Sequence, residues 1–252
     1  MTDIHCHILP GVDDGADSLQ EALAMARMAW ESGVRRIIAT PHCNLPLEEG
    51  NYRSGVMTRR FNALNKAVRE AGIGVEILPG AEVFATPEVP QLLREKKLYT
   101  LAGSRYLLME FFFDEDPDTM DAILQEVAQQ GYVPVIAHPE RYDAVQRAPH
   151  MAARWFGSDY VIQLNKGSIL GRLGRRAEST ADWILGRGLA HIVASDAHSS
   201  AVRTPHMTEI RRYLTDRCDG VYADILLKRN PGRIAQDLPL LRSDGPDEYE
   251  VR

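Results

Sequence analysis

The chain has 252 residues, 44% hydrophobic and 25% charged, with a formal net charge of −6. These values fit a soluble globular protein of about one large α/β domain. They exclude a membrane-spanning chain, since no apolar run approaches the ~20 residues a bilayer requires, and they argue against nucleic acid as the main partner. The start, Met1-Thr2-Asp3-Ile4-His5, carries neither a basic region nor an apolar leader, so a cytoplasmic location without membrane insertion is expected.

The first expected element is a short strand, Asp3 to His7. A helix follows from Ser18 to Trp30, with Leu19, Ala22, Leu23, Ala26 and Trp30 at helical spacing and Asp17 or Ser18 as its cap. The alternation continues with a strand at Arg36 to Thr40, a polar loop at Leu45 to Ser54 placed to fold over a site, a helix at Met57 to Ala71 and a strand at Gly74 to Leu78. Strands at Tyr106 to Phe111, Val133 to Ala137, Tyr160 to Leu164 and His191 to Ala194 are interleaved with helices at Met120 to Gln130, Ala177 to Arg187 and Thr208 to Cys218. Gly33, Gly72, Gly131 and Gly188 suit the left-handed position that closes a helix. No linker divides residues 1–252, so a single domain is expected, with an acidic, fraying tail from about Arg242.

Strict alternation of strand and helix implies a parallel sheet. Polar, ligand-type residues follow nearly every strand: His5 and His7, His42, Glu82, Glu110, His138, Asp196 and His198. An open doubly wound sheet gathers its site at one switch point, whereas a barrel uses the carboxyl ends of all its strands. A seven-stranded α/β barrel is therefore expected.

So many imidazoles and acids on one rim make sense around cations. His5 and His7 are two apart on a strand and point the same way, with Cys6 turned aside. Imidazoles beside hard carboxylates suit manganese, iron or zinc, and carboxylates such as Glu82 and Glu110 can bridge two ions. Asp13, Asp14, His42, His138, Asp196 and His198 supply enough ligands for a second and a third ion. A His-x-His alone is more often structural than metal-binding; the joint occurrence is what points to metal. Glu110 lies inside the apolar run around Met109 and Phe111, where an unpaired acid would be costly. His150, His191 and His206 are expected to be non-ligands.

The stretches 3–16 (DIHCHILPGVDDGA), 39–42 (ATPH), 79–82 (PGAE), 137–142 (AHPERY), 163–168 (QLNKGS) and 194–198 (ASDAH) resemble, in order, those of PHP-domain (polymerase and histidinol phosphatase) phosphoesterases. Within that superfamily the chain is similar to the bacterial manganese-dependent protein-tyrosine phosphatases of capsule and exopolysaccharide loci. The resemblance implies a distorted (β/α)7 barrel with three divalent metal ions, manganese first, iron or zinc as alternatives. It places His5, His7, Glu82 and Asp196 on one ion. Glu82 bridges to a second ion held by Glu110 and His138, and Asp14, His42 and His198 hold the third. The expected partner is the phosphotyrosine tail of a cognate bacterial tyrosine kinase; the oligomeric state is left open.

The expected reaction is in-line attack on phosphorus by a metal-bound hydroxide. Arg141 and Arg203 are candidates to fork onto phosphate. A metal-bound water, Asp196 or His198 is the acid for the leaving oxygen. A cysteine phosphatase needs arginine six positions after its thiol, and Cys6, Cys43 and Cys218 lead instead to Val12, Glu49 and Asp224. Histidinol phosphate or another small phosphomonoester is the alternative substrate. A phosphodiesterase, or a non-catalytic module that binds the kinase, fits the residues less well. Phe111, Phe112, Phe113, Tyr52 and Tyr142 are candidates for an aromatic wall, although core packing is expected for at least two of the three phenylalanines.

Overall fold

The computed structural model describes residues 1–46 and 50–242. Residues 47–49 of the loop expected over the site, and the tail from 243 onward, lie outside the described residues. The strands are β1 (Thr2–Cys6), β2 (Arg36–Ala39), β3 (His42–Cys43), β4 (Glu76–Pro79), β5 (Glu82–Phe84), β6 (Tyr106–Glu110), β7 (Val133–Ala137), β8 (Val161–Asn165) and β9 (Ile192–Ala194). The helices are α1 (Leu19–Glu31), α2 (Gly55–Glu70), α3 (Val89–Arg94), α4 (Pro117–Gln129), α5 (Asp143–Arg147), α6 (His150–Gly157), α7 (Lys166–Ile169), α8 (Arg175–Leu185), α9 (Thr208–Arg217), α10 (Gly220–Asp224) and α11 (Asn230–Ile234).

Every strand pair is parallel, in the orders β1-β2-β4 and β3-β5-β6-β7-β8-β9. The seven expected strands are present, and two of them are followed, after a break, by a second short strand. Pro41 has no N–H to donate, so the ladder stops at Thr40, whose hydroxyl accepts from the Cys6 amide at 2.9 Å, and resumes at β3. The neighbouring strand breaks in step at Gly80–Ala81, between β4 and β5. Seven strand positions therefore run β1, β2/β3, β4/β5, β6, β7, β8, β9. The ring closes because His7 N–H donates to Ala197 at 2.8 Å and Asp196 N–H to His5 at 2.9 Å. Across the same seam the buried Asp3 carboxylate accepts from Ser195 N–H at 3.1 Å.

Side-chain alternation positions the site. Ile38, Tyr106, Leu108, Val135, Ala137, Val161, Ile192 and Ala194 form the apolar barrel interior, while Ile37, Leu107, Met109, Ile136, Ile162, Leu164 and Val193 face the helices. Continuing the interior rows with period two leads from Leu108 to Glu110, from Val161 to Gln163 and Asn165, and from Ala194 to Asp196. The barrel is apolar below and acid and amide at its carboxyl rim. In β1, Ile4 and Cys6 fall in different clusters because the register shifts between Asp3 and Cys6.

Ser18 caps α1, its hydroxyl accepting from Glu21 N–H at 3.2 Å. Gly15 is obligatory in the loop before it: a Cβ there would lie 2.1 Å from the His7 carbonyl oxygen. The expected elements recur within a few residues. The short helices α3, α5, α6, α7, α10 and α11 went unread.

At the opposite end His191 is buried core. Its Nδ1 accepts from Ile162 N–H at 3.0 Å and its ring stacks on Phe156 at 4.7 Å. Burial first, and Arg242 second, lower its pKa from 6.5 to about 4. A lowered folded pKa means the unfolded chain binds the extra proton, so this stability is complete above pH 6.5 and is lost as pH falls toward 4, by up to about 3 kcal/mol. Urea unfolding of wild type and His191→Gln at pH 7 and 4.5 checks this: the wild type should lose about 2–3 kcal/mol more than the variant on acidification. Equal losses would contradict the assignment.

Candidate metal centre

His5 and His7 leave the end of β1 with both rings turned into the rim. His5 Nδ1 donates to Gln163 Oε1 at 2.9 Å and His7 Nδ1 to Asp13 Oδ2 at 2.7 Å. Each ring thus has its Nδ1 proton committed behind it, the arrangement that orients metal-binding imidazoles. The Nε2 atoms face each other at 3.2 Å, and each lies 3.2 Å from Glu82 Oε2. Asp196 Oδ1 is 3.4 Å from His5 Nε2 and 3.7 Å from His7 Nε2. The two imidazole nitrogens are thus spaced from each other, from Glu82 and from Asp196 at close to the roughly 3.4 Å that separates donors on a shared ion with bonds of about 2.1 Å. All four residues are at most 1% exposed. Lone pairs and carboxylates converging at buried positions fit a cation between them.

Glu82 Oε1 lies 3.1 Å from His138 Nε2, and Glu110 Oε1 lies 3.5 Å from the same nitrogen. The Glu82 carboxylate therefore faces both neighbourhoods. Asp14 Oδ1 is 3.5 Å from His42 Nε2 and 3.4 Å from His198 Nε2, while His42 Nδ1 looks toward Glu82 and Glu110 at 3.3 and 3.5 Å. Every expected ligand is thus in one continuous cluster, and the groups able to hold an ion overlap: His7, Asp14, His42 and His198; His5, His7 and Asp196; His5, Glu82 and His138; His42, Glu82 and Glu110. The buried Nδ1 atoms of His42 and His138 have no hydrogen-bond partner among the described residues.

The cluster's protonation shows the same strain. Burial and the Glu82 carboxylate push the Glu110 pKa up. Burial opposes a charged His5, but Glu82 and Asp196 raise its pKa to about 9. Burial would also raise Glu82, yet His5 and its imidazole hydrogen bonds hold it well below the usual carboxylate range. Burial pulls His42 and His138 down.

Local backbone explains the aim of two ligands. His138 (φ 34°) and Asp196 (φ 49°), each just past a strand, adopt left-handed conformations. Asn165 Nδ2 donates to Asp196 Oδ2 at 2.5 Å. Arg203 also pairs with Asp196 Oδ2 and donates to His198 Nε2 at 3.2 Å, and Arg141 Nη1 stands 3.7 Å from the same carboxylate oxygen. Both arginines border the cluster at its open side. The loop bearing Arg203 is tied down at two points. Ser200 N–H donates to Glu21 Oε1 at 2.5 Å, and the buried Lys166 ammonium donates to the carbonyls of Thr204 and His206, the latter at 2.8 Å.

Some expectations change. Asp13 is not in any ligand group; it accepts from His7, His42 N–H and Gly15 N–H, orienting rather than ligating. Of the three phenylalanines only Phe111 is core, at 1% exposed, whereas Phe112 and Phe113 are 50% and 44% exposed, because the chain leaves the sheet at Glu110. Phe113 lies beneath the Arg141 guanidinium at 4.4 Å. Tyr142 is buried, its hydroxyl accepting from Phe111 N–H, and Tyr52 is committed to Asn44, so neither joins a wall. Gln163, Asn165 and Lys166 were visible as a motif, but nothing in their spacing disclosed that they brace His5, Asp196 and the Arg203 loop. His150 and His206 are outside the ligand groups.

The family of capsular polysaccharide synthesis proteins CpsB/CapC matches residues 1–236. The tyrosine-protein phosphatase YwqE of Bacillus subtilis is 33% identical over 244 residues, covering 96% of this chain and 94% of that protein. The tyrosine-protein phosphatase CpsB of Streptococcus pneumoniae is 30% identical over 242 residues, covering 94% and 99%. A solved structure from work on YwqE and CpsB, described as unique metal-dependent tyrosine phosphatases, superposes with a TM-score of 0.88 at 32% identity over 99% of this chain and 100% of that one. A lactonase from Listeria monocytogenes shares the fold alone, with a TM-score of 0.56 at 12% identity over 92% and 93% of the two chains. With its acid–imidazole rim and a seven-position parallel barrel, the chain belongs to the CpsB/CapC family.

Proposed function

We propose that this protein is a metal-dependent protein-tyrosine phosphatase that removes phosphate from a bacterial tyrosine kinase of capsule synthesis, in the cytoplasm. The observation that carries the reading is the facing pair of His5 and His7 Nε2 atoms, each 3.2 Å from Glu82, in a cluster that also gathers Asp14, His42, Glu110, His138, Asp196 and His198. The kinship to YwqE and CpsB supports it. We assign His5, His7, Glu82 and Asp196 to one ion, Glu82, Glu110 and His138 to a second, and Asp14, His42 and His198 to a third, with manganese as the metal. Bound divalent ions would supply Lewis acidity, which activates water near neutral pH and neutralises phosphate oxygens.

The chain's own contribution is positioning and charge. Arg141 and Arg203 flank the open side of the cluster, where planar guanidinium groups match pairs of phosphate oxygens. They stabilise the charge that builds as the phosphoryl group moves. Asp196 has Oδ2 taken by Asn165 and Arg203 and Oδ1 turned to the imidazoles, so no oxygen is left to protonate the leaving group. His198 has no proton to spare either, since its Nδ1 donates to the Asp196 carbonyl at 3.1 Å and its Nε2 accepts from Arg203 and faces Asp14, so solvent at the open side supplies the proton in our reading. Phe113 and Phe112 stand exposed next to Arg141 and Phe84, offering ring faces to a phenyl group rather than to a polar histidinol chain.

A thiol route has no support in the geometry. Cys6 and Cys43 are buried, and burial raises the Cys43 pKa to about 12 and lifts Cys6 well above its ordinary value. EDTA should therefore abolish hydrolysis and manganese restore it, with iodoacetamide without effect; full activity after exhaustive chelation would reject the proposal. Arg141→Lys and Arg203→Lys should each lower kcat on a phosphotyrosyl peptide about 10²-fold while leaving the manganese content, read by elemental analysis, unchanged. Among phosphotyrosyl peptide, phosphoseryl peptide and histidinol phosphate, each assayed with manganese, the first should have the highest kcat/KM. Preference for histidinol phosphate would transfer the chemistry to a small substrate.

A further inference from the structure

A cavity of about 540 Å³ lies between α5 and α8 and belongs to no part of the metal cluster. Arg147, Arg175 and Arg176 line it, against a single acid, Asp143; Gln146 and Ser179 add neutral polar groups. Arg147 pairs loosely with Asp143 at 3.7 Å, and neither Arg175 nor Arg176 has an ion pair among the described residues. These two arginines open the first turn of α8, which follows Gly174 (φ 95°) and has no side-chain cap; Glu178, the acid of that turn, lies beside Gly171 and does not line the cavity.

The position in the fold gives this charge its meaning. A helix that follows a barrel strand starts at the strand's carboxyl end, so the first turns of α5 and α8 stand on the rim that carries the metal cluster. Asp143, on the cavity wall, comes two residues after Arg141, and its N–H donates at 2.7 Å to the carbonyl of Phe113, whose ring lies under Arg141. The near wall of the cavity is thus built from the same short segment that presents the phosphate-binding arginine. An extended peptide advances about 3.3 Å per residue. A chain with its phosphotyrosine at Arg141 therefore brings a side chain within about four residues of it into the cavity.

We propose that this cavity is a substrate subsite that binds an aspartate or glutamate flanking the phosphotyrosine, with Arg175 and Arg176 as its specificity-determining residues. The proposal rests on the phosphatase reading above. Unpaired guanidinium groups attract carboxylates at long range and pair with them on contact, and the loss of either shows as reduced capture of acidic substrates.

The test uses the manganese-loaded protein and two phosphotyrosyl peptides. One carries acidic residues within four positions of the phosphotyrosine, and the other carries glutamine and serine there. Wild type should favour the acidic peptide, and Arg175→Gln/Arg176→Gln should lower its kcat/KM about five- to tenfold while sparing the neutral peptide and p-nitrophenyl phosphate, which does not reach the cavity. Arg175→Lys/Arg176→Lys should retain most of the preference. Equal treatment of the two peptides by wild type, or an equal loss on all three substrates, would overturn the subsite. Anisotropy of the acidic peptide in unphosphorylated form separates the two proposals. If no phosphotyrosyl substrate is hydrolysed, the function fails, while weaker binding by the glutamine variant still supports the cavity and unchanged binding rejects it.

Discussion

Two imidazole nitrogens held 3.2 Å apart with their lone pairs face to face, and a carboxylate oxygen equally close to both, set the terms for the rest of this molecule. Burial removes the water that would otherwise soften such an arrangement. Without a cation, burial and the neighbouring carboxylates raise the pKa of Glu110, the carboxylates raise that of His5 against burial, and burial lowers those of His42 and His138. With divalent ions the same atoms become a complete donor set. The fold tolerates five imidazoles and four carboxylates in this cluster, and the proposed function follows from that tolerance.

The barrel makes the tolerance affordable. Its interior rows are aliphatic until the last residue or two of each strand, so the polar groups appear together at one level. Around them the chain spends unusual backbone: left-handed turns at His138 and Asp196 and the close approach of Gly15 to His7. Gln163 and Asp13 orient the two imidazoles from behind, and Asn165 holds Asp196. Lys166 and Glu21 clamp the loop that carries Arg203, so a residue without regular secondary structure is nonetheless placed. Such groups determine whether a ligand set is preorganised or merely present.

Much of this was legible in the residues, for physical reasons that also explain what was not. Strand-to-helix alternation and ligand types after the strands indicated a barrel with its site on one rim, because period-two patterning is a local property. The ligand candidates converge because His5, His7, Glu110, His138, Asp196 and His198 lie at or just past the carboxyl end of a strand, His42 and Glu82 open the short strands that resume after the two breaks, and Asp14 is brought in by the loop after β1. Spacing alone does not tell Asp13 from Asp14, since adjacent acids differ only in which way a turn points them, and only the family resemblance singled out Asp14. Core packing was expected for at least two of Phe111, Phe112 and Phe113, because composition does not reveal that the chain leaves the sheet at Glu110. Helices such as α5 and α7 are too short to show a period. The break at Pro41 has a local cause, but its echo at Gly80–Ala81 exists only between strands.

The central claim is that this rim holds divalent cations among the named side chains, and diffraction from manganese-soaked crystals at the manganese absorption edge tests it most directly. The account predicts anomalous peaks inside the cluster: one between His5, His7, Glu82 and Asp196, one at Glu82, Glu110 and His138, and one at Asp14, His42 and His198. A rim without anomalous density at saturating manganese, in crystals where those residues are ordered, would contradict it.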